Sequence, residues 1–191
     1  MSQQSSDVWK AVQAAARDEA RRLMALTALN VLDTPPEAAF DRITTLAATL
    51  FATPMAIISL VDADRQWFKS SIGVPVLETP RHLAFCNWAI RSPEVFVVLD
   101  ARRDPRFASN RLVTAEPNIA FYAGAPLQLP SGERIGTVCV LDQVARPSFD
   151  RDERAALAEL AAEAVCGLIN RRPSDPLALV ADSLSTNAKP R

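Results

Sequence analysis

The chain has 191 residues, of which 49% are hydrophobic and 23% are charged, and its formal net charge is −1. This length and composition are typical of one globular domain with a substantial core and terminal extensions. The near-neutral charge argues against a nucleic-acid-binding protein, which normally carries a basic face, and no apolar run is long enough to cross a membrane.

Three cysteines and one histidine limit the chemistry that the chain can support. Cys86, Cys139 and Cys166 are widely spaced and odd in number, so we expect neither a disulfide framework nor a four-ligand zinc site. The polar N-terminus lacks the apolar segment of a secretion signal. We therefore expect reduced thiols, no cofactor or metal, and a cytoplasmic location.

Two helices are predicted near the N-terminus. Apolar residues recur at helical spacing over residues 7–30, where Asp18 and Arg22 are placed to pair at i,i+4. A second helix is predicted over residues 36–52, with Thr34 as N-cap and Glu37 completing a capping box. The apolar face of this second helix comprises Phe40, Ile43, Leu46, Ala47, Leu50 and Phe51.

The middle of the chain is predicted to form strands. Polar turns separate the first two strands and the last two, which predicts two hairpins and therefore an antiparallel sheet. Residues 73–80 are predicted to be a loop, and residues 83–91 a short helix that carries Phe85 and Cys86 inward. The five predicted strands are residues 55–61, 66–70, 95–99, 120–129 and 134–141.

A long polar connection and a last helix complete the pattern. Residues 100–117, with a helical turn near residues 105–112, are longer than a structural link requires, and such connections often form the wall of a binding site. The helix over residues 150–171 begins at a capping box formed by Asp150 and Glu153. Proline and polar residues then predict a tail with little reason to pack.

These elements predict an α+β fold. Its centre is an antiparallel sheet of five or six strands, with the helices at residues 36–52 and 150–171 on one face. Short helices and loops from the middle of the chain cover the other face and form a pocket. The predicted organisation is an N-terminal extension over residues 1–19, a domain over residues 20–172 and a polar tail over residues 173–191.

Seven segments within residues 20–170 together resemble the bacterial GAF domains that are often placed before histidine kinases or diguanylate cyclases. The resemblance implies an antiparallel sheet with a small-molecule pocket, terminal helices that often pair between protomers, and a role in signal input. The segments are VLDTPPE at 31–37, SLVD at 59–62, RQWFK at 65–69, FC at 85–86, DPRF at 104–107, FYAGAPL at 121–127 and GTVCVLD at 136–142.

From this resemblance we expect a stand-alone sensory domain that binds an unidentified small molecule, forms a homodimer and signals to an output kinase or cyclase in another chain. The ligand is not identified, because neither known pattern is present. The Asn-Lys dipeptide of cyclic-nucleotide GAF domains is absent, and Cys86 is followed by Asn87 and Trp88, with His82 upstream, unlike the Cys–His pattern of bilin-binding ones. Two alternatives remain open. One is a thiol-dependent reductase of a small oxidised metabolite, of the free methionine sulfoxide type, and the other is a dimerisation scaffold without a ligand.

Eight residues are candidates for the wall of the pocket. Aromatic side chains suit either a pocket or ordinary core packing, and Tyr122 adds a polar group. The guanidinium of Arg106 is suited to an anionic ligand, although Asp104 is also placed to cap the adjacent turn and pair with it. The candidates are Trp67, Phe85, Cys86, Trp88, Asp100, Arg106, Phe107 and Tyr122.

Cys86 is the most interesting thiol of the three. It lies near the start of a short helix, where the helix dipole lowers a thiol pKa, and His82 precedes it by one helical turn. The alternative is a buried structural cysteine, for which Cys86→Ser should cost more stability than Cys86→Ala. Cys139, on a strand, and Cys166, on a helix stripe, are expected to be core residues, and Cys139 to be a poor disulfide partner.

Overall fold

A computed structural model describes residues 3–171, with side chains from Asp7 onward. The predicted tail at residues 173–191 lies outside the described residues. The helical segments are α1 (Gln3–Ala28), α2 (Ala38–Leu50), a 3-10 turn (Arg81–Leu83), α3 (Cys86–Ala89), α4 (Arg111–Thr114) and α5 (Arg151–Asn170). The strands are β1 (Met55–Val61), β2 (Arg65–Ile72), β3 (Glu78–Pro80), β4 (Phe96–Val98), β5 (Phe121–Gln128) and β6 (Arg134–Asp142).

The six strands form one antiparallel sheet in the order β3-β2-β1-β6-β5-β4. This confirms the predicted α+β class. The sixth strand, β3, falls in the segment predicted to be a loop, because three residues on an edge carry too short a pattern to be recognised. It pairs with the start of β2, where Thr79 lies opposite Gln66.

The two faces of the sheet carry separate cores, as predicted. Ile58 and Leu60 of β1 belong to the core that includes residues of α2 and α5. Ile57 and Val61 belong to the core that includes residues of α3 and α4, because successive side chains of a strand point to opposite faces. β1 is therefore buried along its whole length, and its sequence is apolar except for Ser59 rather than alternating.

One predicted capping box forms and the other does not. Asp150 and Glu153 cap α5 reciprocally. At α2 the expectation was wrong: the Thr34 hydroxyl donates to the Val31 carbonyl, and Glu37 is the N-cap residue without a side-chain capping bond. Glu37 instead accepts from Lys69 Nζ at 2.6 Å, because the fully buried ammonium of Lys69 needs a counter-charge more than the helix end needs a cap.

α1 is one continuous helix that crosses the predicted boundary between residues 19 and 20. The expected pair of Asp18 and Arg22 does not form, because the buried Arg22 donates to the Val61 carbonyl and to Glu19. Arg81 Nη1 donates to the same Glu19 carboxylate at 2.6 Å. Glu19 thus fastens α1 to the end of β1 and to the 3-10 turn.

The apolar stripes of the helices are narrower than predicted. Leu46 and Leu50 of α2 are exposed, and Cys166 of α5 is exposed rather than in the core. α5 buries positions such as Leu157, Ala161 and Leu168, which lie on the side that faces the sheet, while Cys166 lies on the other side. Among the described residues no helix is long and apolar enough to cross a membrane.

Candidate functional site

A cavity of about 520 Å³ lies on the sheet face opposite α2 and α5. Its wall is formed by β1, β2, β3, β5 and β6, by the segment around α3, by Leu112 of α4, and by loop residues near positions 73–76 and 116–119. Most of the lining side chains are apolar, among them Phe68, Phe85 and Ile119. The volume lies within the range of small-molecule sites, about 300–1,000 Å³.

Two polar atoms in this apolar wall make no hydrogen bond to the described residues. They are Gln66 Oε1 and Thr79 Oγ1, on residues that are cross-strand partners in β2 and β3. Gln66 as a whole is only 6% exposed. A buried polar atom without a partner costs about 1–3 kcal/mol, so the pair is a natural attachment point for a ligand that donates hydrogen bonds.

The charged side chains in the cavity wall are carboxylates. Glu78 and Glu116 contribute to the lining, whereas the described lining contains no Lys, Arg or His. Glu78 is partly neutralised, because Arg65 Nη1 donates to it at 2.6 Å. The wall therefore disfavours an anionic ligand and accommodates a neutral or cationic one.

The thiol of Cys86 lies at the inner end of the cavity, in a group of hydrogen-bond donors. Tyr122 Oη donates to Cys86 Sγ at 3.2 Å and Thr137 Oγ1 at 3.1 Å. Cys139 Sγ lies 3.8 Å from the same sulfur. Ser59 adjoins this group, although its hydroxyl makes no hydrogen bond of normal geometry to the described residues.

Gly124 provides the space that the Tyr122 hydroxyl occupies. A Cβ atom on Gly124 would lie 2.2 Å from Tyr122 Oη, which is far inside van der Waals contact. Gly124 is also the cross-strand partner of Cys139. The missing side chain thus allows Tyr122 to reach across to Cys86.

These contacts separate the acidities of the two thiols. Burial raises the pKa of Cys86, but the hydrogen bonds from Cys139, Thr137 and Tyr122 outweigh it and lower the pKa to about 7. Burial and the neighbouring Cys86 raise the pKa of Cys139 well above its usual value. Burial, together with Cys86, also raises the pKa of Tyr122, so this hydroxyl remains a donor at neutral pH.

Three of the eight predicted residues line the cavity, namely Phe85, Cys86 and Tyr122. Trp67 instead lies in the core on the helix side of the sheet. The reason is the alternation along β2, which points Gln66 and Phe68 into the cavity and Trp67 away from it.

The other four predicted residues are not part of the cavity lining. Phe107 stacks on Phe85 with ring centroids 4.2 Å apart, and Trp88 packs edge-on against Phe107. Asp100 accepts from Arg102 Nε at 2.9 Å. Arg106 pairs with Asp104, as the local alternative expected, and lies over the Phe96 ring.

Sequence reasoning missed Gln66, Thr79, Thr137, Cys139 and Glu116. Alternate residues of a strand point to the same face, so a cavity position for Phe68 would have implied one for Gln66. The same rule places Thr137 on the same face as Cys139. No comparable signal marks Thr79 or Glu116, which lie in segments without a readable period. The sequence also contained no sign that Cys139 lies next to Cys86; docking of α3 on β6 brings the two sulfur atoms to 3.8 Å, and both thiols are free.

A larger groove of about 800 Å³ runs between α1 and the turn that joins β5 to β6. Its walls are charged, and two of its guanidiniums, Arg22 and Arg81, are already bound to Glu19. We therefore take the apolar cavity as the candidate site. Within residues 3–171 no three His, Cys, Asp or Glu side chains are grouped as metal ligands.

Comparisons with known proteins agree with this architecture. A cyclic di-GMP phosphodiesterase of Pseudomonas aeruginosa is 43% identical over 136 residues, which are 71% of this chain but 23% of that protein. A type II free methionine-R-sulfoxide reductase from Thermoplasma acidophilum superimposes with a TM-score of 0.54 at 13% identity, over 68% of this chain and 92% of that one.

A second solved structure is the GAF domain of PixJ from Thermosynechococcus elongatus in its blue-light-absorbing form. It superimposes with a TM-score of 0.55 at 14% identity, over 78% of this chain and 90% of that one. At such identities the two superpositions concern the fold alone. The family model for the GAF domain matches residues 35–166, which include α2, the whole sheet and most of α5. The chain belongs to the GAF domain family.

Proposed function

We propose that this chain is a signal-input domain, a binding module rather than an enzyme, whose cavity binds a small molecule with an apolar body and a group that donates hydrogen bonds. The observation that carries the proposal is a pair of oxygens in a mostly apolar wall, Gln66 Oε1 and Thr79 Oγ1, that make no hydrogen bond to the part of the chain that the structure describes. A ligand N–H or O–H would satisfy them and recover the cost of their burial.

The shape of the cavity supports a ligand-binding domain over a scaffold without a pocket. Such a scaffold would need Trp88, Phe107 and Tyr122 to fill the space. Of these only Tyr122 lines the cavity, and about 520 Å³ remains open. The carboxylates of Glu78 and Glu116 support a ligand that is neutral or positively charged.

We also propose that the bound state is passed to an output kinase or cyclase on another chain. The similarity to a bacterial cyclic di-GMP phosphodiesterase, in which the matching region is 23% of the protein, supports a connection with signalling enzymes. The likeness to a methionine sulfoxide reductase concerns the fold and leaves the reductase alternative to experiment.

Thermal unfolding with matched pairs of small aromatic probes tests the ligand class. Phenethylamine and 3-phenylpropionamide each present an N–H donor on a body similar to that of 3-phenylpropionate, which presents a carboxylate. The amine and the amide should raise Tm in a saturable manner, since a ligand that binds only the folded state stabilises it, and the carboxylate should not. Equal stabilisation by all three would contradict the proposal.

Two variants locate the effect. Gln66→Leu removes the acceptor and keeps an apolar side chain, so it should abolish the Tm shift from the amide. Glu116→Gln should weaken binding of the amine by up to about fivefold, the usual worth of one exposed charge, and leave the amide unchanged. Glu94→Gln, an exposed carboxylate outside the cavity lining, is the matched control and should change neither result.

A further inference from the structure

Cys86 and Cys139 meet inside the protein from distant parts of the chain. Cys86 begins α3, Cys139 lies in the central strand β6, and their sulfur atoms are 3.8 Å apart. Both residues belong to the cavity wall, although almost all of their surface is covered. The third thiol, Cys166, is exposed on α5.

We propose that Cys86 and Cys139 form a redox pair, which a small hydroperoxide entering the cavity oxidises to an intramolecular disulfide. The inference does not depend on the ligand proposed above. It rests on the distance between the two sulfur atoms, their position in the cavity wall and the donors that surround Cys86.

The surroundings of the two thiols assign their order of reaction. Tyr122 and Thr137 both donate to Cys86 Sγ, so the negative charge of a thiolate is better stabilised there than at Cys139. Cys86 is therefore the attacking sulfur and Cys139 the resolving one. Once Cys86 is oxidised and uncharged, it no longer opposes the ionisation of Cys139.

The reaction balances with the peroxide as the only oxidant. The Cys86 thiolate attacks the terminal oxygen of ROOH, the O–O bond breaks, and the departing alkoxide takes the proton that Cys86 released, giving Cys86–SOH and ROH. The Cys139 sulfur then attacks Cys86 Sγ, the S–O bond breaks, and hydroxide leaves with the Cys139 proton as water. Two thiols lose two electrons and two protons, and ROOH becomes ROH and H₂O.

Disulfide formation requires the sulfur atoms to approach to about 2.05 Å. β6 pairs with β1 and β5 on either side, which holds Cys139 in place. Cys86 lies on a four-residue helix between a 3-10 turn and an irregular segment, so movement of α3 is the easier way to close the gap. The disulfide would draw α3 onto the sheet and reshape the inner end of the cavity.

The experiment uses the full-length wild-type chain, reduced, freed of reductant and exposed to a small excess of hydrogen peroxide at pH 7. After quenching, unfolding and alkylation, peptide mapping by mass spectrometry should find Cys86 joined to Cys139 and Cys166 still alkylated. The proposal is wrong if Cys86 and Cys139 remain alkylated under exposures that oxidise Cys166.

Variants separate the steps. Cys139→Ser should stop at the sulfenic acid, trapped by dimedone on Cys86, and Cys86→Ser should leave Cys139 reduced. Cys166→Ser is the matched control, because it removes a thiol outside the pair and should leave the disulfide yield unchanged. Peptide mapping of the wild-type protein is sufficient to show whether the disulfide forms. The test therefore remains valid even if one of the variants does not fold.

Tyr122→Phe tests the positioning role of the hydroxyl. The ring remains, one donor to Cys86 is lost, and the pH profile of the oxidation rate should move to higher pH, with a rate at pH 7 that is lower by about two- to tenfold. An unchanged profile would contradict the role of Tyr122. If the protein reduces free methionine sulfoxide over multiple turnovers with a dithiol donor, the proposed peroxide-oxidised pair is wrong and the chain is a reductase.

Discussion

The Cys86 sulfur accepts hydrogen bonds from Tyr122 and Thr137, and this changes what a substitution at residue 86 should do. From the sequence alone, Cys86→Ser was expected to cost more stability than Cys86→Ala, because an apolar surrounding was assumed. The structure places two hydroxyl donors there, both on fully buried residues. An acceptor is therefore more valuable at this position than an apolar atom.

We now predict the opposite order. Cys86→Ala should lower the free energy of unfolding by about 1–3 kcal/mol, because it leaves two buried hydroxyls without their acceptor. Cys86→Ser keeps an acceptor and should cost less. Urea denaturation of both variants measures the difference, with the exposed position Cys166→Ala as a near-neutral control. A smaller loss in Cys86→Ala than in Cys86→Ser would restore the original expectation.

At the scale of elements, one carboxylate joins α1 to the 3-10 turn. Glu19 binds Arg22 of its own helix and Arg81 of the 3-10 turn. Hydrogen bonding to Arg22 is the main reason that the pKa of Glu19 falls from 4.5 to about 2; burial opposes this effect, and Arg81 adds to it. The carboxylate thus stabilises the docked helix only while it is ionised.

The sign of the pH effect follows from the lowered pKa of Glu19 in the folded state. The stabilisation is complete above pH 4.5 and is lost as the pH falls towards about 2. Glu19→Gln should therefore be less stable than the wild type at pH 6, and the difference should shrink by pH 3. Urea denaturation of both proteins at the two pH values measures it. Asp18→Asn is the control, since its ion pair with Arg21 is largely exposed and should contribute little.

At the scale of the whole molecule, the beginning of α1 presents apolar side chains to solvent. Val8, Trp9 and Val12 are 64%, 62% and 54% exposed. They lie within one and a half turns of α1, on the N-terminal side of Glu19. We propose that a second copy of the chain covers them in a two-fold helical bundle, so that one patch meets itself.

Trp9→Glu should then shift the protein from dimer to monomer, because it places a charge at the centre of the interface. Light scattering coupled to size-exclusion chromatography measures the mass. Val144→Glu, an equally exposed apolar position away from α1, is the control and should leave the dimer intact. A wild-type protein that is monomeric at high micromolar concentration would contradict the proposal.

Local sequence patterns predicted an element correctly where the pattern extended over the whole element. The twenty-residue helix α5 carries both its helical period and its capping box, and β1 is an apolar run interrupted only by Ser59; both were predicted close to their observed bounds. β3 was missed because three residues display no period. The predicted capping box of Thr34 and Glu37 does not form, because the Glu37 carboxylate accepts a hydrogen bond from Lys69, which lies thirty-two residues further along the chain.

The sequence by itself determined the α+β class, the antiparallel sheet and the face that α2 and α5 cover, because hydrophobic periodicity and turn residues are local properties. It also predicted Phe85, Cys86 and Tyr122 among the cavity residues. Only the tertiary structure decided that Cys139 touches Cys86 across 53 residues, that Gln66 and Thr79 lie side by side, and that Trp67 points the other way. The physical reason is that a period indicates which face a side chain occupies, whereas strand register and the docking of α3 on the sheet determine which side chain lies opposite it.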